Sequence, residues 1–130
     1  MSATEKIDTK SATIWIDGEG ILHMKLKPQA EVDLKEVESH FKIYEELGLK
    51  KNKALQLFEG GSFFTFDSEA MKFVSKNGSD YFIATAIVNN SLAIRILFGF
   101  FKRFFHQAFP CDLFDSKAEA LKWLKTFKKT

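Results

Sequence analysis

The chain has 130 residues, 45% of them hydrophobic and 28% charged, with a formal net charge of +2. That length and balance specify one globular domain and exclude a disordered chain or one with a broad nucleic-acid footprint. A single cysteine, Cys111, excludes an internal disulfide and fits a reducing compartment.

Residues 1–11 are polar and are expected to be disordered or frayed, with no charged-then-apolar leader; residues 12–128 are expected to form a single domain. The longest uncharged run, Tyr81 to Ile94, is too short to cross a bilayer as a helix, and Arg95 ends it. The sequence expectation is a cytoplasmic protein, with peripheral contact to a membrane left open.

In chain order, residues 12–27 predict a hairpin. Ile14 and Ile16 alternate with Thr13 and Trp15, "DGEG" supplies residues that tolerate positive φ, and Ile21 to Lys27 alternates again. Leu22, Met24 and Leu26 then share one face, His23, Lys25 and Lys27 a wet one, and Pro28 stops the strand. Asp33 begins a helix in which Leu34, Val37, Phe41, Tyr44 and Leu47 recur at helical spacing. Asp33 with Glu36 resembles a capping box, and Gly48 suits the C′ position. "KALQLFEGG" predicts a short strand.

"FDSEAMKFVSKNG" predicts the next helix, with Asp67 as N-cap and Phe66 and Met71 placed for a hydrophobic staple. "YFIATAIV" is almost wholly apolar and predicts a central strand covered on both faces. "SLAIRILFGFFKRFFHQAF", Ser91 to Phe109, follows as a long helix capped by Asn90 or Ser91 and ended by Pro110. "CDLF" is a last strand and "SKAEALKWLKTFKK" a last helix, with Ser116 and Glu119 as its capping box. This order predicts a single α/β domain: an N-terminal β-hairpin leading into a mostly parallel five-stranded sheet with four helices.

The stretches "ATIWIDGEGILHMKLKP", "DSEAMKFVSKN", "FIATAIVNNSLAIRILFGFF" and "FPCDLFDSKAEALKWLKTF" together resemble the STAS-like domains, most closely the small bacterial SpoIIAA-like proteins. The resemblance implies a STAS/SpoIIAA-like fold and a non-enzymatic binding or regulatory module. It also implies an association with apolar ligands or membrane surfaces. In the anti-sigma-factor antagonists a phosphorylatable serine opens the helix after the third strand, in an Asp-Ser-Ser-Gly setting. "FDSEA" places Ser68 there, which implies an alternative role as a protein-interaction switch with Ser68 as phosphoacceptor. A helix N-terminus would favour phosphate, whereas Glu69 would repel it. The Asp-x-Arg motif that SpoIIAA-like proteins often carry at the end of the third strand is replaced by Glu59-Gly60-Gly61.

His23, His40 and His106 sit on three different predicted elements without ligand spacing, so no metal site is expected and all three are read as solvent-facing. Cys111, beside Pro110 on an apolar strand, reads as a small core residue. "GEG" and "EGG" are turn glycines and make no phosphate loop. Glu59 alone stands at a strand's C-terminal end, too little for an active site. No enzyme activity and no cofactor are expected.

The long helix carries the functional argument. At about 100° per residue, Arg95, Gly99, Lys102 and His106 cluster on one side, with Arg103 at their edge. Ala93, Leu97, Phe100, Phe104 and Ala108 lie roughly opposite and are expected to cover the sheet. Ile94, Phe98, Phe105 and Phe109 form a second apolar strip, with Phe101 between the two. A sheet-packed helix needs an apolar stripe of only about 100°, and this one spans roughly 200°.

The helices around Met71 to Val74 and Leu121 to Phe127 would flank and bury the surplus, or it is functional. As a functional surface it suits an amphipathic small molecule, with a carboxylate near the basic edge, or an anionic membrane surface. It would equally suit a homodimer face. The candidate residues are Ile94, Arg95, Phe98, Phe101, Lys102, Arg103, Phe105 and Phe109, joined by Phe63, Phe64 and Phe66 from a loop that could hinge over a pocket.

Overall fold

A computed structural model describes residues 3–60, 64–89, 91–104 and 109–128, without the side chains of Phe101 and Phe104. Alternating apolar residues draw β1 (Ile7–Asp8), β2 (Ala12–Ile16) and β3 (Ile21–Leu26) into an antiparallel set. The β2–β3 turn is closed by Asp17, whose Oδ1 accepts the backbone N–H of Glu19 at 2.8 Å and of Ile21 at 3.1 Å. Gly20 takes the left-handed φ of 82° that this turn needs.

After β4 (Glu31–Val32), α1 (Leu34–Glu46) starts where the Asp33 carboxylate accepts the Glu36 N–H. It ends at Gly48, whose φ of 79° is the left-handed C′ conformation. Next come β5 (Ala54–Glu59), β6 (Thr65–Phe66), α2 (Ser68–Asn77), a single 3-10 turn (Gly78–Asp80) and β7 (Phe82–Val88). Last are α3 (Leu92–Phe104), β8 (Cys111–Phe114) and α4 (Lys117–Lys125). Asp67 caps α2 through the Ala70 N–H, and Ser116 caps α4 through that of Glu119. At the head of α3 the Ser91 carbonyl accepts the Arg95 N–H, while the Asn89 side chain takes the Ser91 N–H.

The main sheet runs β1-β2-β3-β5-β7-β8 and is parallel from β3 onward, which fits strand–helix alternation with crossover helices. It has six strands, not five: β1 adds to the free edge of β2 from a polar stretch that carries no period-2 pattern. β4 and β6 make a separate two-stranded parallel pair, so the stretch expected as a loop around Phe66 is tied down by backbone hydrogen bonds.

Side-chain alternation divides the core between the two sheet faces. On one, Ile14, Leu22, Met24 and Phe82 pack with Val37, Phe41 and Tyr44 of α1 and Ala70 of α2. On the other, Ala84 and Ala86 of β7 are small enough for α4 to lie close, burying Ala120 and Leu124 against Leu55 and Leu57. α4 therefore does not flank α3 as expected; it covers the opposite face. α3 stands off the sheet on the α1–α2 side, and a cavity lies beneath it.

Candidate ligand-binding site

A cavity of about 130 Å³ lies between α3 and the sheet. Its floor comes from three adjacent parallel strands: Gln56 and Phe58 of β5, Thr85 and Ile87 of β7, and Cys111 of β8. Thr85 is in register with Gln56 on one side and Cys111 on the other. These short side chains do not fill the gap beneath the helix. One wall is the inner face of α1 (Val37, His40, Phe41 and Tyr44), and another is Met71 and Val74 of α2 with Phe64 and Phe66. Ile94, Leu97 and Phe98 of α3 form the roof, and Phe109 closes one end.

The helical phase of α3 differs from that expected. Ile94 and Phe98, expected as surplus, are half-buried and turn inward with Leu97. Ala93 and Phe100, expected to cover the sheet, are exposed; Phe100 is 61% exposed and stands with Ile96 (62%) and Leu92 (72%) in an outward apolar stripe. Ile94, Leu97 and Phe98 fall within about 100° of one another around the helix, the width of one apolar stripe, so they turn inward together and leave Ala93 and Phe100 outside it. Arg95, Lys102 and Arg103 are exposed around that stripe. Arg95 donates to Asp115 at 2.6 Å, and the Lys102 ammonium lies 5.5 Å from the Phe98 ring centroid. Phe63, Phe105, His106, Ala108 and the side chains of Phe101 and Phe104 lie outside the described residues.

Three polar side chains cross the cavity floor as a chain. The Thr85 hydroxyl donates to Gln56 Oε1 at 2.9 Å, Gln56 Nε2 donates to the Tyr44 hydroxyl at 3.4 Å, and that hydroxyl points to Met24 Sδ at 3.7 Å. All three are buried. Burial pushes the Tyr44 hydroxyl far above the ordinary phenol range, so it stays protonated. Sequence reasoning missed Gln56 and Thr85 and placed Tyr44 in the core. The available signal was one polar residue flanked by apolar ones inside each of two strands, Gln56 in "ALQLFE" and Thr85 in "FIATAIV".

His40 and His23 are not solvent-facing as expected: they are 3% and 5% exposed. His40 Nε2 lies 3.1 Å from Ser11 Oγ, 3.3 Å from Glu36 Oε1 and 3.4 Å from Thr9 Oγ1. The Ser11 hydroxyl itself donates to Glu36 at 2.6 Å. All of these contacts use one ring nitrogen, whereas a nucleophile–base–carboxylate relay needs both, so the cluster pins the N-terminal strands to α1 rather than activating Ser11. Burial pushes the His40 imidazole below the ordinary histidine range, with Glu36 pulling the other way. Burial raises the Glu36 carboxyl, but the Ser11 hydroxyl and His40 outweigh it and hold it low. His23 stacks on Trp15 at 4.8 Å, and its Nε2 meets Asp17 Oδ2 at 2.7 Å.

The remaining candidates lie away from the cavity. Ser68 is exposed in the first turn of α2, where the Asp67 cap and Glu69 already supply two carboxylates, an arrangement that does not favour a phosphate. Glu59 is half-buried and sits 3.6 Å from Lys117. Among the described residues no three His, Cys, Asp or Glu side chains converge to hold a metal ion, and no helix is long and apolar enough to cross a membrane.

Residues 14–128 match a family model described as a domain of unknown function, DUF7793. No curated protein matches the chain. Among solved structures, the chain is similar to an uncharacterized protein of the DUF3478 family with a SpoIIAA-like fold, from Shewanella loihica PV-4. The TM-score is 0.56 at 14% identity, over 95% of this chain and 93% of that one, a likeness of fold alone. A protein of unknown function from Arthrobacter sp. FB24 aligns at 20% identity over 92% of this chain and 97% of that one, with a TM-score of 0.29.

Proposed function

The chain belongs to the DUF7793 family, and we propose that this SpoIIAA-like domain is a binding module that holds an apolar small molecule beneath α3. The observation that carries this reading is the cavity itself: the Phe-rich helix roofs a space lined by apolar side chains instead of filling it. Well-packed interiors leave few voids larger than a water molecule, and apolar cavities of about 150 Å³ in other proteins stay dry and take up benzene. Among the described residues no metal cluster and no nucleophile–base–carboxylate relay accompanies the cavity, which supports binding as its role.

The outward stripe of α3 supports a second, compatible role at an anionic membrane surface. Leu92, Ile96 and Phe100 are exposed in line, flanked by Arg95, Lys102 and Arg103. Inserting such side chains into the interface gains roughly 1–2 kcal/mol each, and each cation adds about 1 kcal/mol near anionic lipid.

Two assays separate these roles. Toluene, the size of one aromatic ring, should raise the thermal unfolding midpoint as its concentration rises; no rise at saturating toluene would remove the ligand reading. Flotation with phosphatidylglycerol vesicles should carry the protein at low salt, and phosphatidylcholine vesicles should carry less. Equal flotation with neither vesicle, together with a dimer in sedimentation, would give the stripe to a second copy instead.

A further inference from the structure

We infer that the cavity selects an uncharged ligand bearing one acceptor oxygen, a hydroxyl or a carbonyl, seated on the Tyr44–Gln56–Thr85 chain, and rejects the corresponding carboxylate. This rests on the ligand-binding reading above and goes further, because it names the chemical class.

The first argument is charge. Among the described residues no lysine or arginine lines the cavity. Of the cations of α3 that would pair with a fatty-acid carboxylate, Arg103 stands exposed on the far side of the helix, Arg95 is engaged by Asp115, and the exposed Lys102 lies over the Phe98 ring at the helix's flank without lining the cavity. The one ionisable base in the wall, His40, turns Nε2 to Ser11 and Glu36. An ionised carboxylate placed here would be desolvated without a partner, which strongly disfavours it.

The second argument is a count of donors and acceptors. Thr85, Gln56 and Tyr44 present four polar hydrogens between them: one on each hydroxyl and two on the carboxamide. The Thr85 hydrogen goes to Gln56 Oε1, and one carboxamide hydrogen goes to Tyr44 at the long distance of 3.4 Å. The Tyr44 hydrogen meets only the thioether of Met24, a weak acceptor. The second carboxamide hydrogen meets no acceptor among the described residues. Reversing the carboxamide does not help: it would free the Thr85 hydrogen instead. The floor therefore carries surplus donors in an apolar setting. An oxygen that accepts is the complement they lack, and a hydrocarbon leaves the surplus in place. The volume of about 130 Å³ suits a body the size of a single aromatic ring.

Met24 and Met71 both line the cavity, so methyl-¹³C-methionine protein reports binding from inside it, with Met71→Leu for assignment. Toluene, benzyl alcohol and benzoate are titrated at about pH 7.5, where benzoate is ionised. The inference expects toluene and benzyl alcohol to move both methyl signals, and benzoate to bind at least about 30-fold more weakly than benzyl alcohol. In the Gln56→Leu/Thr85→Val variant the benzyl alcohol to toluene Kd ratio should rise about tenfold, with toluene still bound. If that variant does not fold, Tyr44→Phe should shift the same ratio in the same direction. Benzoate binding within about threefold of benzyl alcohol would overturn the inference, as would an unchanged ratio in the variant that folds. Failure of toluene itself to move either methyl overturns the ligand reading beneath it, and this inference with it.

Discussion

The Phe109 ring rests directly on Gly78: a Cβ built on that glycine would lie 2.7 Å from Phe109 Cε1 and 2.8 Å from Cζ. Gly78 is helical, with φ of −59°, so its lack of a side chain serves this approach rather than an unusual backbone angle. The contact joins the end of α2 to the residue that closes the cavity after α3.

Gly78→Ala tests that closure. The atoms in the way are the tip of a ring that can swing, and alanine suits helical backbone better than glycine, so the stability cost should stay below about 1 kcal/mol. The displaced ring should nevertheless intrude on the cavity and weaken toluene binding severalfold. Urea denaturation and the methyl titration give the two numbers. An alanine variant that binds toluene as the parent does would show that Phe109 does not shape the site.

Gln56→Leu tests the polar floor. Removing the central link strands the Thr85 and Tyr44 hydroxyls in a buried setting, at a cost of about 1–3 kcal/mol. Gln56→Leu/Thr85→Val should cost less than the sum of the two single changes, because the paired donor and acceptor leave together. Midpoints in urea at unchanged slope measure both; simple additivity would contradict a coupled chain.

The outward stripe should behave oppositely. Ile96→Ser and Phe100→Ser remove exposed side chains and should change stability by less than about 0.5 kcal/mol. The pair should abolish flotation with anionic vesicles while leaving toluene binding intact. Retained flotation would separate the membrane role from α3.

His40 makes stability depend on pH. Its folded pKa is held below the ordinary value of 6.5, chiefly by burial. As pH falls the unfolded chain is protonated first, so the contribution of the neutral ring is complete above the ordinary pKa and is lost as pH drops toward the folded one. Glu36, also held below its ordinary range, keeps its charge through that interval. The urea midpoint should therefore fall between about pH 7.5 and pH 5.5, and His40→Gln should flatten the fall. A variant with the parent's slope would assign the pH dependence elsewhere.

Much of the fold was legible in local chemistry. Asp33, Asp67 and Ser116 cap the helices that their sequences mark, and the period-2 alternation of Ile14 and Ile16 against Trp15 sets the hairpin. β1 was not legible, because a two-residue edge strand such as Ile7–Asp8 is held by a neighbour's free hydrogen-bonding groups rather than by its own pattern. The helix of "SLAIRILFGFFKRF" was legible, but its phase was not: apolar residues occupy both sides, and the helical wheel cannot say which side meets a cavity. The buried state of His23 and His40 depends on Trp15, Asp17, Ser11 and Glu36, partners brought together only by folding. The Tyr44–Gln56–Thr85 chain joins one helix and two strands in the same way.

The central claim is that an apolar molecule sits between α3 and the sheet. Intermolecular NOEs from toluene to the methionine methyl groups test it most directly. The account predicts cross-peaks to both Met24, on the floor side, and Met71, on the α2 wall. Saturating toluene that gives cross-peaks to neither would contradict it.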